Sequence, residues 1–540
     1  MEGESQVAMR APKSVMYGDQ LPLGVEAKSQ KRMFFPTTGD TYTPTSNSIC
    51  RIDVNYDGLM DTSQSFLEFD LKNTTVGKKA SFDIGQPVIR KLTISSGGVV
   101  LEEIHDYNVL LAGVLFPAQA GVQNLHYEGM NNNGLDQRSA FVDIAGGDAP
   151  CNVLTGYANG DNVNANCTVN DATFGGGAGG TTVIAGNIND AVNHAMDGSL
   201  TAYNTKVQTQ VNTAVSASVV AGVNKGGSAL NSAGADVLSY SDADAVAGSD
   251  ASSRTGVYDA NDTFKQQYKL VSGLMDNDKY LPLVLMNAGI TLEFELAPSV
   301  DCMIVEDATA PNYEITNVRY VAHLIDLERS FYDRLRMVQQ QSGGVLQIAG
   351  QSWRGFRAPQ TASNSQALNC PARVRSIKSF FWKYGHTPSS QHYTLSAGGH
   401  NNLTTYQLSI GATRFPPTAN EVNSATNKVG AYTELQKAFG KIGSNLHPDR
   451  LNSQNYLNSD GTTGNLARGS IVPFAPYGID LESFRHEIEN GIDTSSRALP
   501  ITLHTTSSGP PTANVNDCFM WILYDSLFYI NMDGSVSVSN

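Results

Sequence analysis

Alternation of apolar and polar residues with a period of two constrains this chain more than any other feature. Ile290, Leu292, Phe294 and Leu296 alternate with Thr291, Glu293 and Glu295, as a strand with one face in a core and one towards water requires. The same period runs through Leu67, Phe69 and Leu71 against Glu68 and Asp70, through Tyr406, Leu408 and Ile410, and along Tyr313 to Leu327. Val88 to Glu102 repeats it on both sides of Gly97-Gly98, which reads as a hairpin. Charged residues make up only 16 % of the 540, below the roughly 25 % of an average globular protein. Long solvated helices are therefore excluded as the main material, while 41 % hydrophobic residues exclude a wholly disordered chain. The fold class is all-β.

The order of segments echoes itself. Strands around Leu92-Thr93-Ile94 lead into a short amphipathic helix between Glu103 and Phe116, ended by Pro117; strands around Tyr406 to Ile410 lead to another at Thr433 to Phe439. LPLVLM at 281–286 has a counterpart in LPITLH at 499–504, and each precedes a long final strand, Val318 to Leu327 and Phe519 to Ile530. Two β-sandwiches of about eight strands each, with one helix after the fourth strand, fit this duplication. The expected divisions are an N-terminal arm at 1–40, a first unit at 41–330 and a second at 331–540. Within the first, about 117–260 is rich in Gly, Ala, Asn, Ser, Thr and Asp, including GGGAGG at 175–180, and reads as a loop-rich surface insertion.

No complete chemical constellation emerges. Asp53, Asn55, Asp57 and Gly58 match the first half of a calcium loop, but position 12 is Gln64 and the flanks read as strands, which favours a glycine-containing hairpin. Gly175, Gly177 and Gly180 satisfy GxGxxG without the strand and helix that a dinucleotide site needs. His486-Glu487 stops short of HExxH. Glu293 and Glu295 share one strand face, as a glycosidase pair could, but outer-face charges explain them. Trp353, Trp382 and Trp521 lie in strand-like context where packing is expected. Cys50, Cys151, Cys167, Cys302, Cys370 and Cys518 have no CxxC spacing and read as buried thiols, with only Cys151 and Cys167 close enough for a local disulfide. The reading is therefore no catalytic residue, no cofactor and no metal. A formal charge of −15 argues against wrapping nucleic acid. The start MEGESQVAMRAPK has no apolar h-region, so synthesis in the cytosol is expected.

Three stretches carry a resemblance: YLPLVLMNAGITLEFEL (280–296), YEITNVRYVAHLIDLERSFYDRL (313–335) and GGVLQIAGQSW (343–353). They resemble the seam between the two jelly rolls in major capsid proteins of eukaryotic double-stranded DNA viruses, among them polinton-like viruses, virophages and nucleocytoplasmic large DNA viruses. The matching residues are Leu281-Pro282-Leu283, Leu327 and Glu328-Arg329. GIDLESFRHEIENGIDTSSRALPITLH (478–504) is similar to the stretch before the last strands of smaller members. The resemblance implies two consecutive eight-stranded jelly rolls and a homotrimeric, pseudo-hexagonal capsomer tiling an icosahedral virion. The implied partners are neighbouring capsomers, penton and minor capsid proteins, with no sequence-specific nucleic acid. The arm, carrying Arg10, Lys13, Lys28, Lys31 and Arg32, is expected to run along the inner side of the shell and to meet neighbours or an internal membrane. The insertion, with Asp242, Asp244 and Asp250, is expected at the outer, solvent-facing end. The alternative is a carbohydrate-binding or glycan-cleaving β-sandwich protein.

Overall fold

The computed structural model describes residues 27–119 except 79, 260–305, 310–386, 398–423, 426–440, 474–484, 488–496, 499–510 and 515–540, with isolated positions between them. Eight principal strands make the first unit: β1 (Ala27–Phe34), β2 (Ile49–Val54), β3 (Leu59–Asn73), β4 (Ile89–Ser96), β5 (Val99–Ile104), β6 (Thr263–Tyr268), β7 (Ile290–Leu296) and β8 (Tyr313–Leu327). Eight more make the second: β9 (Val345–Pro359), β10 (Ser365–Cys370), β11 (Ile377–His386), β12 (Leu403–Ile410), β13 (Thr413–Glu421), β14 (Tyr477–Asp480), β15 (Ile501–Ser507) and β16 (Val515–Asn531).

In the first unit one sheet runs β1-β8-β3-β6 and the other β2-β7-β4-β5; in the second they run β9-β16-β11-β14 and β10-β15-β12-β13. The two orders are identical strand for strand, and all these pairings are antiparallel. First strand beside last, with consecutive strands exchanged between two facing sheets, is the jelly roll. The chain is a double jelly roll. Buried rows of alternate residues, such as Leu67, Phe69 and Leu71 on β3 and Ile290, Leu292, Phe294 and Leu296 on β7, belong to the two facing sheets of the first sandwich. In the second roll Trp382 of β11 meets Tyr406 of β12 edge-on at 4.8 Å, tying its two sheets together.

Several expectations hold in detail. β4 and β5 form the hairpin, with Gly97 at φ 57° and Gly98 at φ 86° supplying the two positive angles of its turn. Others are corrected. Ala27–Phe34, expected within an arm reaching residue 40, pairs along its whole length with β8. Seven of its eight residues are exposed, so it carries no apolar alternation to read. In each roll the helix follows the fifth strand, not the fourth: α1 starts at Tyr107–Leu110, and α3 is Val429–Ala438. Pro117 does not end the first helix. A π-helical turn at Leu111–Leu115 is followed by helical Phe116–Gln119, a widened turn that accommodates a residue without an N–H. LPLVLM is the approach to β7, a two-residue strand and a 3-10 turn, whereas LPITLH runs into β15 itself. Those two segments are not equivalent. Helix α2 (Arg329–Gln341) leads from β8 to β9.

Candidate functional site

The most elaborately built surface of the molecule is the seam between the rolls. The rim of the first roll, comprising β5, α1 and the segment after β6, sits on the outer face of the second roll's β9-β16-β11-β14 sheet. That face presents three cross-strand rows: Trp353, Leu523 and Ser379; Gly355, Trp521 and Phe381; Arg357, Phe519 and Lys383. Trp521 is fully buried, Trp353 nearly so, and Trp521 Nε1 donates to the His105 carbonyl at 3.3 Å. Gly355 lets the backbones approach, because a Cβ there would strike the same His105 oxygen. Asn277 Nδ2 donates to the Ala349 carbonyl at 2.7 Å. Beside these contacts lies a cavity of about 430 Å³ lined by Leu115, Asp276, Asn277 and Trp353 among others.

Two buried carboxylates anchor the seam. Glu102, at the end of β5, accepts from the Gly273 N–H at 2.9 Å, the Leu274 N–H at 3.1 Å and the hydroxyls of Ser272 and Ser352. Three of those donors belong to the first roll and Ser352 to the second. Burial pushes its carboxyl up, and the four donors oppose that rise. Asp83 accepts from the Ile84 N–H at 2.8 Å and, across the seam, from the Ser396 N–H at 2.9 Å and hydroxyl at 2.8 Å. Burial raises Asp83 as well, against the pull of Ser396 and Lys383. Lys383, on the second roll's outer face, donates to the Leu395 carbonyl, and burial holds it down to about 7. This is a stability device: polar groups satisfied only when both rolls are in place.

The corresponding outer face of the first roll, β1-β8-β3-β6, bears different chemistry. Its rows are Met33, Val321 and Phe66; Arg319, Glu68 and Gln267; Thr316, Asp70 and Lys265. Glu68 binds Arg319 Nε and Lys265 Nζ, each at 3.0 Å. Burial raises its carboxyl, but Arg319, Lys265 and Gln267 outweigh this and hold it below the usual range.

The residues singled out from sequence fall elsewhere. Asp53 accepts from Thr291 Oγ1 at 2.7 Å, and residues 55–58 carry the chain from β2 in one sheet to β3 in the other rather than closing a hairpin. Among the described residues no group of three or more His, Cys, Asp or Glu is placed to hold a metal. Glu293 and Glu295 do share a face, but Arg51 and Lys91 lie opposite them on the flanking strands, a charge ladder rather than a cleft. Cys50, Cys302, Cys370 and Cys518 are buried free thiols. Gly175, Gly177, Gly180, His486-Glu487, a Cys151–Cys167 disulfide and Asp242, Asp244 and Asp250 lie outside the described residues. Trp382 packs inside its roll as expected, whereas Trp353 and Trp521 pack between rolls. Glu102 escaped notice because nothing local marks a glutamate within a short strand as buried.

The strand order defines the class, a double jelly roll, from this chain's own sheets. Solved structures similar to it include a PBCV-1 VP54 crystal structure fitted into a reconstruction of the virophage Sputnik, at 10 % identity over 97 % of this chain and 99 % of that one, with a TM-score of 0.49. The Faustovirus major capsid protein is 7 % identical over 95 % and 92 %, at 0.47. The mavirus major capsid protein is 8 % identical over 100 % and 96 %, at 0.41. No protein-family model matches the chain, and no curated protein matches its sequence.

Proposed function

We propose that this chain is a viral major capsid protein with no catalytic role, whose homotrimer forms a pseudo-hexagonal capsomer of an icosahedral shell around double-stranded DNA. The observation that carries this reading is the strand-for-strand repetition of one jelly roll beside another. Two like outlines in one chain become six in a trimer, the shape that paves a flat lattice. The capsomer's partners are neighbouring capsomers, penton and minor capsid proteins, and an internal membrane reached through the N-terminal arm, of which residues 1–26 lie outside the described residues while Ala27–Phe34 is tied into the sheet. The outward placement expected of the 117–260 insertion falls almost wholly outside the described residues. The protein is made in the host cytoplasm and resides in the virion, without sequence-specific contact to nucleic acid. Expression followed by electron microscopy and native mass measurement tests this: uniform trimeric tiles are expected, and a monomer that retains or hydrolyses polysaccharide would replace the reading with the glycan-active one.

A further inference from the structure

A further buried cluster lies within the second roll, where β14, β11 and β16 run side by side. Lys378, the second residue of β11, is 3 % exposed, and Asp525 on β16 is 6 % exposed. Lys378 Nζ stands 2.8 Å from Oε1 of Glu482, just beyond β14, and 3.3 Å from Asp525 Oδ1. Asp525 Oδ2 is turned to other donors, the Ser376 hydroxyl at 2.7 Å and the Glu489 N–H at 2.9 Å. Ser376 Oγ is itself fixed by the Gly491 N–H at 3.0 Å. Glu489 holds φ at 57°, a strained value for a residue with a side chain. An ammonium needs one carboxylate; this one has two, and keeping three charges out of water is costly.

We infer that Lys378 and Asp525 join in an isopeptide bond, a covalent strut between β11 and β16 that the chain makes on itself, once, with Glu482 carrying protons. The parts are those of an acyl-transfer site. Lys378 Nζ is the nucleophile and Asp525 Cγ the electrophile. The two donors on Oδ2 stand where the charge of a tetrahedral intermediate gathers, and Glu482 is within hydrogen-bond reach of Nζ. The Nζ–Cγ bond forms and the Cγ–Oδ1 bond breaks. Two of the three ammonium protons pass by way of Glu482 to Oδ1, which leaves as water; the third stays on the amide nitrogen, and Glu482 ends as it began. No oxidant or cofactor enters. The product replaces two buried charges with a neutral amide, and exclusion of solvent opposes the return hydrolysis. The strut belongs to the folded second roll and does not rest on the capsomer reading.

Mass spectrometry of the full chain, purified and then denatured, tests it. The wild type is expected to be lighter than its sequence by one water, and a tryptic digest to yield a branched peptide in which Lys378 is uncut and linked to Asp525. Lys378→Arg is expected to restore the full mass. Asp525→Asn is expected to shift the loss from one water to one ammonia, because the leaving group is then the side-chain nitrogen. Glu482→Gln is expected to slow the appearance of the branched peptide after synthesis by about a hundredfold. Circular dichroism and thermal melting establish that each variant has folded. A folded wild type at its full sequence mass, cut by trypsin after Lys378, overturns the bond, as does a loss of water that persists in Lys378→Arg. An unchanged rate in folded Glu482→Gln overturns the part given to Glu482.

Discussion

The outer sheet faces of the two rolls occupy the same place in the same topology and carry opposite chemistry. The second roll's face bears Trp353, Trp521, Phe519 and Phe381, all buried; the first roll's bears Lys265, Asp70, Glu68 and Arg319 in cross-strand rows. A fold specified by its inner faces leaves its outer faces free to diverge. One is sealed within the chain for good. The other keeps its charges paired along the sheet.

The comparison breaks most readily at Trp521. Replacing it with Ala is expected to cost about 3–5 kcal/mol in chemical denaturation, whereas Thr316→Ala on the first roll's face should stay within about 0.5 kcal/mol; comparable losses would show that the faces are not different in kind. Glu102→Ala removes the carboxylate acceptor of the Gly273 N–H and of two hydroxyls at the seam, leaving Leu274 N–H only its bond to Ser272 Oγ, and a loss of about 3 kcal/mol is expected, read as a lowered midpoint or as two separated transitions. Lys383 sharpens the picture through pH. Its folded value of about 7 lies below the ~10.4 of an unfolded lysine, so between these values the unfolded chain binds more protons and stability rises with pH, by up to about 1.4 kcal/mol per unit. Lys383→Met should flatten that rise in denaturation curves collected from pH 7 to 9. A smaller loss is expected of Arg319→Ala on the first roll's face, about 0.5–1 kcal/mol at neutral pH. The Glu68 contribution, from a depressed carboxyl, is present above the unfolded carboxylate value and is lost as pH falls through the folded one.

Strands with one wet face were legible because burial writes itself into alternation, as at β7 and in the β4–β5 hairpin. β1 was not, since a strand exposed on seven of eight positions leaves no such imprint. The helix position slipped by one strand because β1, assigned to the arm, was not counted ahead of the hairpin of β4 and β5. The seam was invisible for a different reason. Glu102 and Ser352 lie 250 residues apart, and no local period records a partner at that distance; Trp353 and Trp521 announced burial without saying against what.

The pairing of β1 with β8 also governs when the first roll can exist. Ala27 lies opposite Leu327, so the sheet lacks its edge strand until the last residues of β8 have left the ribosome. Non-local pairing of this order makes closure slow, and the half-built sandwich exposes strand edges to other nascent chains meanwhile. Synthesis order thus makes β8 the closing stroke of the first roll, and β16 that of the second.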